Sequence, residues 1–187
     1  MPSDAKPVVC SLRSGGVSAG SPVAESDLAT TPAERLEILR RYRNIAMVGL
    51  SGNQYRPSYF AAVYLQAEGY NIIPVNPRAD EILGRRCYPS LKDVPEPIEV
   101  VDIFRPSEAV PPLVEEAIEI GAKVVWMQFG VVNFDAARRA REAGLEVVMD
   151  QCMKVEHARY FGGLNTVGLN SGVMSSRRWS RKDGKRG

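Results

Sequence analysis

The stretch Ile45-Ala46-Met47-Val48-Gly49-Leu50-Ser51-Gly52-Asn53-Gln54-Tyr55-Arg56-Pro57-Ser58 decides the fold. Its first part, Ile45 to Leu50, is a short apolar run broken only by Gly49. Such a run reads as a strand buried on both faces, the pattern of a parallel sheet. A loop with Gly49, Ser51 and Gly52 follows. Pro57 and Ser58 then open a helix expected over about residues 58–68 and ended by Gly69. A strand, a glycine-bearing loop and a helix N-terminus in succession make an anion site, because the first N–H groups of a helix carry partial positive charge. The loop is neither G-x-G-x-x-G nor a Walker sequence. An ordinary Gly/Ser turn has the same look, so the loop does not settle its own role.

Outward from this stretch the chain alternates between two periods. Upstream, Thr31-Pro32-Ala33-Glu34 announces a helix: Thr31 caps it, Pro32 suits the first position, and Glu34 closes a capping box. Downstream, strands are predicted at Tyr70–Asn76, Val100–Phe104, Val124–Met127 and Glu146–Met149. Ser107 is expected to cap a helix carrying Val110, Val114, Ala117 and Ile118, and Asn133 to cap another ending near Gly144. Strand and helix repeating in this way specify parallel strands with right-handed crossovers. The predicted fold is α/β, a Rossmann-like doubly wound, mainly parallel five-stranded sheet with helices on both faces. Between Pro77 and Ile98, Gly84, Pro89, Pro95 and Pro97 predict an irregular segment with at most one helical turn near Ser90–Val94.

Composition narrows the class. The chain has 187 residues, 44% hydrophobic and 25% charged, which suits one globular domain. A leader over 1–30, rich in Ser, Ala, Gly and Pro, is expected to be disordered. The folded domain is expected over 31–172, with a flexible basic tail over 173–187. Residues 177–187 hold six basic side chains and one acidic, a charge of +5, so the overall +2 leaves −3 for the rest. A solvated end accounts for such a tail, and nucleic acid is not its expected partner. No apolar run approaches the roughly 20 residues of a membrane span, and the start lacks a secretory pattern. The expected location is the cytoplasm, with no membrane partner. Cys10, Cys87 and Cys152 fit neither a disulfide framework nor a zinc pattern, and the single His157 excludes a His-rich metal site.

In an open parallel sheet, ligands bind beyond the carboxyl ends of the strands. The first exit offers Gly49, Ser51, Gly52, Arg56 and Ser58 as a pyrophosphate cradle. The second, Val75-Asn76-Pro77-Arg78, lacks the Asp or Glu that an NAD ribose wants. Arg78 suits a ribose bearing a phosphate, as in NADP or coenzyme A, and a solvated loop arginine would look the same. The third exit supplies Phe104, Arg105 and Pro106, and the fourth Gln128 and Gly130. Cys152 stands at the fifth, close to Lys154 and His157. A cationic neighbour there would lower its pKa; a buried inert thiol is the other reading.

Several motifs in order carry a resemblance: Gly49-x-Ser51 with Arg56-Pro57-Ser58-Tyr59, Pro74-Val75-Asn76-Pro77, Gly84 with Tyr88-Pro89-Ser90-Leu91, Asp102-Ile103-Phe104-Arg105-Pro106, Trp126-x-Gln128-x-Gly130, and Asp150-x-Cys152-x-Lys154-Val155-Glu156-His157. From about Leu36 to Leu164 the chain resembles the bacterial stand-alone CoA-binding proteins. These are similar to the N-terminal CoA-binding domain of the succinyl-CoA synthetase α subunit. The resemblance implies coenzyme A or an acyl-CoA as the small-molecule partner. It implies phosphate contacts from Gly49, Ser51, Gly52, Arg56 and Ser58, and an adenosine end near Val75, Asn76 and Arg78. It further implies a pocket wall of Phe104, Arg105 and Pro106 with Gln128 and Gly130 farther along, and Cys152 within reach of the thiol arm. The family often has Arg where this chain has Gln151. The expected function is CoA binding without catalysis of its own, alongside an unidentified protein partner. The alternatives are an NADP- or NAD-binding redox protein and a thiol-reactive protein using Cys152.

Overall fold

The computed structural model describes residues 28–162. The expected tail at 173–187, and all of the expected leader but residues 28–30, lie outside the described residues. Leu28 is fully buried in the core.

Five strands form one parallel sheet: β1 (Asn44–Val48), β2 (Asn71–Val75), β5 (Val100–Ile103), β6 (Val124–Met127) and β7 (Glu146–Val148). Their order is β2-β1-β5-β6-β7. The chain starts in the middle, steps to one edge and returns past its start, so the order reverses between β1 and β5. There the crossovers leave on opposite faces and a crevice opens.

Side chains alternate across each strand, which assigns the helices to faces. Ala46, Val48, Val101, Ile103, Val125 and Met127 point to one face, under α3 (Val110–Glu119) and α4 (Phe134–Glu142). Ile45, Met47, Val100, Val124 and Trp126 point to the other. That face is covered by α1 (Pro32–Arg41), α2 (Pro57–Ala67) and α5 (Met153–Phe161). The doubly wound Rossmann-like architecture read from the sequence is the one observed.

Local chemistry explains most element boundaries. Glu34 N–H donates to Thr31 Oγ1 at 3.2 Å, and Glu34 Oε2 accepts from Thr31 N–H at 2.6 Å, the reciprocal capping box. Asn133 Oδ1 caps α4 by accepting from Ala136 N–H at 2.9 Å. Ser107 does not cap α3. It opens a short 3₁₀ turn over Ser107–Ala109, and its Oγ accepts from Val132 N–H at 3.0 Å instead. The helix starts at Val110 because Pro111 and Pro112 fit a first turn, where a missing N–H costs nothing.

Two further departures lie outside the parallel strands. The Pro77–Ile98 segment holds the expected turn, as a 3₁₀ turn at Leu91–Asp93. It also holds a hairpin of β3 (Glu81–Ile82) with β4 (Arg85–Arg86). Its turn needs positive φ at both Leu83 (56°) and Gly84 (69°). Leucine seldom adopts that conformation, so the hairpin carries no Asn-Gly or Asp-Gly signal. Helix α5 is the other. Its buried residues are Met153, Glu156, His157 and Arg159, so its inner face is largely polar and gives no apolar stripe.

That polar face is tied to α1. Arg35, Glu156 and Arg159 are all withdrawn from solvent. Arg35 Nε donates to Glu156 Oε2 at 2.7 Å, and Arg159 Nη1 lies 2.9 Å from Glu156 Oε1. His157 packs between Tyr70 and Phe161, and its Nδ1 is 3.1 Å from the Tyr64 hydroxyl. Burial lowers the His157 pKa.

Candidate functional site

A cleft of about 1000 Å³ lies over the carboxyl ends of the strands, at the reversal of strand order. Every parallel strand contributes its exit. Gly49 and Ser51 follow β1, Arg78 follows β2, Phe104, Arg105 and Pro106 follow β5, Gln128 to Val131 follow β6, and Cys152 follows β7. Tyr55, Arg56, Pro57, Ser58 and Phe60 bring the start of α2, and Lys154 and Val155 the start of α5. Two helix N-termini therefore face the cleft, each with partial positive charge.

Among the described residues the lining includes four cations, Arg56, Arg78, Arg105 and Lys154, and no carboxylate. The described residues as a whole hold 16 basic and 18 acidic side chains, a net −2. Positive charge is thus concentrated in the cleft against the balance of the body, which selects anionic ligands. At the mouth, Tyr55 is 79% and Phe60 55% exposed. Both offer apolar ring surface that the fold leaves uncovered.

The first loop is held by its own side chains. Ser58 is buried, and its Oγ accepts from Ser51 N–H at 3.2 Å. Ser51 Oγ accepts from Asn53 N–H at 3.2 Å, and Asn53 Oδ1 from Tyr55 N–H at 2.9 Å. Gly49 has φ +84°. A Cβ on it would come within 2.8 Å of Arg105 Cδ and 3.1 Å of the Phe104 carbonyl oxygen. Glycine here lets the β1 and β5 exits close on each other at the switch point. The approach it permits is to the protein's own backbone.

Of the residues singled out on sequence, Gly49, Ser51, Arg56, Ser58, Arg78, Phe104, Arg105, Pro106, Gln128, Gly130 and Cys152 line the cleft. Gly52, Val75 and Asn76 do not. Val75 is buried in the core. Asn76 ties two exits together: its Nδ2 donates to the Leu50 carbonyl at 2.8 Å, and its Oδ1 accepts from Arg78 N–H at 3.0 Å. It therefore sets the Arg78 backbone. The sequence reading missed Tyr55, Phe60 and Lys154 as lining residues, although Tyr55 and Phe60 flank the Arg56–Tyr59 motif and Lys154 lies inside the Asp150–His157 motif.

It also missed Asp102. This carboxyl is on β5 and wholly buried. Its strand neighbours are Met47 and Trp126, and it faces the α2 and α5 side. Oδ1 accepts from Gln128 Nε2 at 2.7 Å, and Oδ2 has no hydrogen-bond partner. Burial pushes its pKa up to about 7, against the smaller opposing pull of the Gln128 bond. Cys152 feels it. Burial raises the Cys152 pKa, the Asp102 charge adds to the rise, and the N–H groups of Val155 and Lys154 with the Lys154 charge oppose it. The thiol is thus held protonated, in line with the buried inert thiol among the two sequence readings and against a thiolate activated by Lys154. His157 turns away to Tyr64 and Tyr70.

Comparison with known proteins bears on this geometry. The model of the CoA binding domain family matches residues 43–158, which span every strand and every lining residue. An uncharacterized protein of Bacillus subtilis, YneT, is 47% identical over 126 residues, covering 67% of this chain and 93% of that protein. Acetate–CoA ligase [ADP-forming] II of Archaeoglobus fulgidus is 34% identical over 129 residues, 66% of this chain. The chain spans only about a fifth (19%) of that ligase. Among solved structures, a hypothetical protein from Pyrococcus horikoshii OT3 is 45% identical with a TM-score of 0.69, over 71% of this chain and 93% of its own. With the switch-point cleft, the family match and these relatives together, the chain belongs to the CoA binding domain family.

Proposed function

We propose that this protein binds coenzyme A or an acyl-CoA in the switch-point cleft and performs no chemistry of its own on it. The observation that carries the reading is the lining: among the described residues, four cations, two helix N-termini and no carboxylate in a cleft of about 1000 Å³. CoA is a polyanion with phosphates at both ends of its nucleotide, and the cations are spread over the exits of β1, β2 and β5 and the head of α5. Arg56 and the first turn of α2 would hold the pyrophosphate, with Arg105 beside them. Arg78, past β2, would take the 3′-phosphate. The arm would run toward Gln128, Gly130 and Cys152, with its thiol end near β7. The absence of an acid after β2, where Asn76 is occupied in holding the loop, counts against NAD. The raised pKa of Cys152 counts against a thiolate mechanism. A binding module of this kind serves a protein partner that uses the bound thioester or thiol.

Arg78→Ala tests the assignment. An arginine–phosphate contact is charge-assisted, so its loss should weaken CoA binding by roughly 10- to 100-fold. Dephospho-CoA, which lacks the 3′-phosphate, should bind wild type and variant alike in a calorimetric titration. An equal loss on both ligands, or none on either, would move the 3′-phosphate away from Arg78.

A further inference from the structure

The cleft has a chemically different end. Three of its four cations stand at the exits of β1, β2 and β5 and the fourth, Lys154, at the head of α5, whereas at β6 the polar lining side chain is the neutral Gln128. Gln128 is 4% exposed and its amide is oriented from behind. Above about pH 7, where Asp102 is ionised, its oxygens only accept, so Oδ1 at 2.7 Å faces the Gln128 Nε2–H. The amide oxygen, Oε1, is left at the other corner. No hydrogen bond to it is found among the described residues, and Gln128 is a residue of the cleft lining. Asp102 meanwhile keeps Oδ2 unpartnered, although the residue has no exposure at all. A carboxyl placed in a sheet only to hold the fold would have both oxygens satisfied. This one spends its single bond on a residue that lines the cleft.

We propose that Asp102 is the positioning residue for the arm end of the site: it fixes Gln128 so that Oε1 accepts from an N–H of a secondary amide in the ligand arm. The inference rests on the CoA reading, since a pantetheine arm carries two such amides. It adds that the protein reads the arm as well as the nucleotide. Asp102 touches no ligand in this arrangement and acts through Gln128.

The test separates arm from nucleotide. CoA and adenosine 3′-phosphate 5′-diphosphate, which keeps the phosphates and lacks the arm, are titrated into wild type, Asp102→Ala, Asp102→Asn and Gln128→Met. Wild type should bind CoA the more tightly of the two. Asp102→Ala and Gln128→Met should each lose roughly tenfold for CoA, the scale of one hydrogen bond to a buried acceptor, and nothing for the armless nucleotide. Asp102→Asn keeps an oxygen for Gln128 Nε2 and should retain most of the CoA affinity. Equal losses on both ligands would make Asp102 a fold residue and overturn the proposal. So would a wild type that binds both ligands equally, although CoA binding itself would then stand. A wild type that binds neither would overturn the CoA reading and the proposal with it. Should Asp102→Ala fail to fold, Gln128→Met, which keeps the volume, decides the question.

Discussion

Glu156→Ala is expected to unfold about 10 °C below the wild type. Glu156 is the one anion between two guanidinium groups, Arg35 and Arg159, and all three are out of solvent. Removing one partner of a buried ion pair leaves uncompensated charge in a low-dielectric setting and typically costs about 3–5 kcal/mol. Here two cations lose their partner at once, at the contact between α1 and α5. For a domain of this size, each kcal/mol shifts the midpoint by roughly 3 °C. Thermal and urea unfolding measure it. A loss under about 1 kcal/mol, the scale of exposed pairs, would mean that both arginines reach water in the variant. The cleft lies on other residues, so ligand affinity at low temperature should change far less than stability.

Asp102→Asn should gain on the wild type as pH rises. The native carboxyl has its pKa raised to about 7, against 3.8 for an ordinary Asp. Between those values the native state binds the proton more readily than the unfolded chain, so this group stabilises at low pH. That contribution is lost as pH rises through about 7. Three pKa units set an upper scale of roughly 4 kcal/mol. Asparagine stays neutral throughout and keeps the shape. The two proteins should therefore be close in stability near pH 3.5, with the variant drawing ahead as pH rises toward 7 and holding a lead of a few kcal/mol at pH 8.5. His157 works in the opposite sense. Its lowered pKa makes stability rise with pH below about 6.5, but it is common to both proteins and cancels in their difference. Parallel unfolding curves at the two pH values, with no divergence, would mean that Asp102 ionises as freely in the folded protein as outside it.

Much of the fold was legible because the parallel strands are short apolar runs and the helices between them announce themselves with caps. Thr31 and Asn133 did what their residue types suggest. Ser107 did not, since the prolines at 111 and 112 moved the helix start and freed the serine to hold Val132. Helix α5 was silent for a physical reason: it buries Glu156, His157 and Arg159 where periodicity looks for aliphatics. The site divided in the same way. Exit residues could be located from strand ends alone, and so Arg78, Arg105 and Gln128 were found. Whether a side chain faces the cleft or ties the loop depends on neighbours distant in sequence. Asn76 holds Leu50, 26 residues away, and nothing local announces that. Asp102 sits inside a quoted motif but within an apolar strand, where one acid reads as punctuation until its partner Gln128, also 26 residues away, is in view.

The most direct measurement is a calorimetric titration of the intact chain with CoA, dephospho-CoA, NAD and NADP in parallel. Saturable binding of CoA at one site is expected, with dephospho-CoA weaker and neither nicotinamide dinucleotide competing with it. Tighter binding of NADP or NAD than of CoA, or no binding of CoA at millimolar concentration, would contradict the assignment of the cleft.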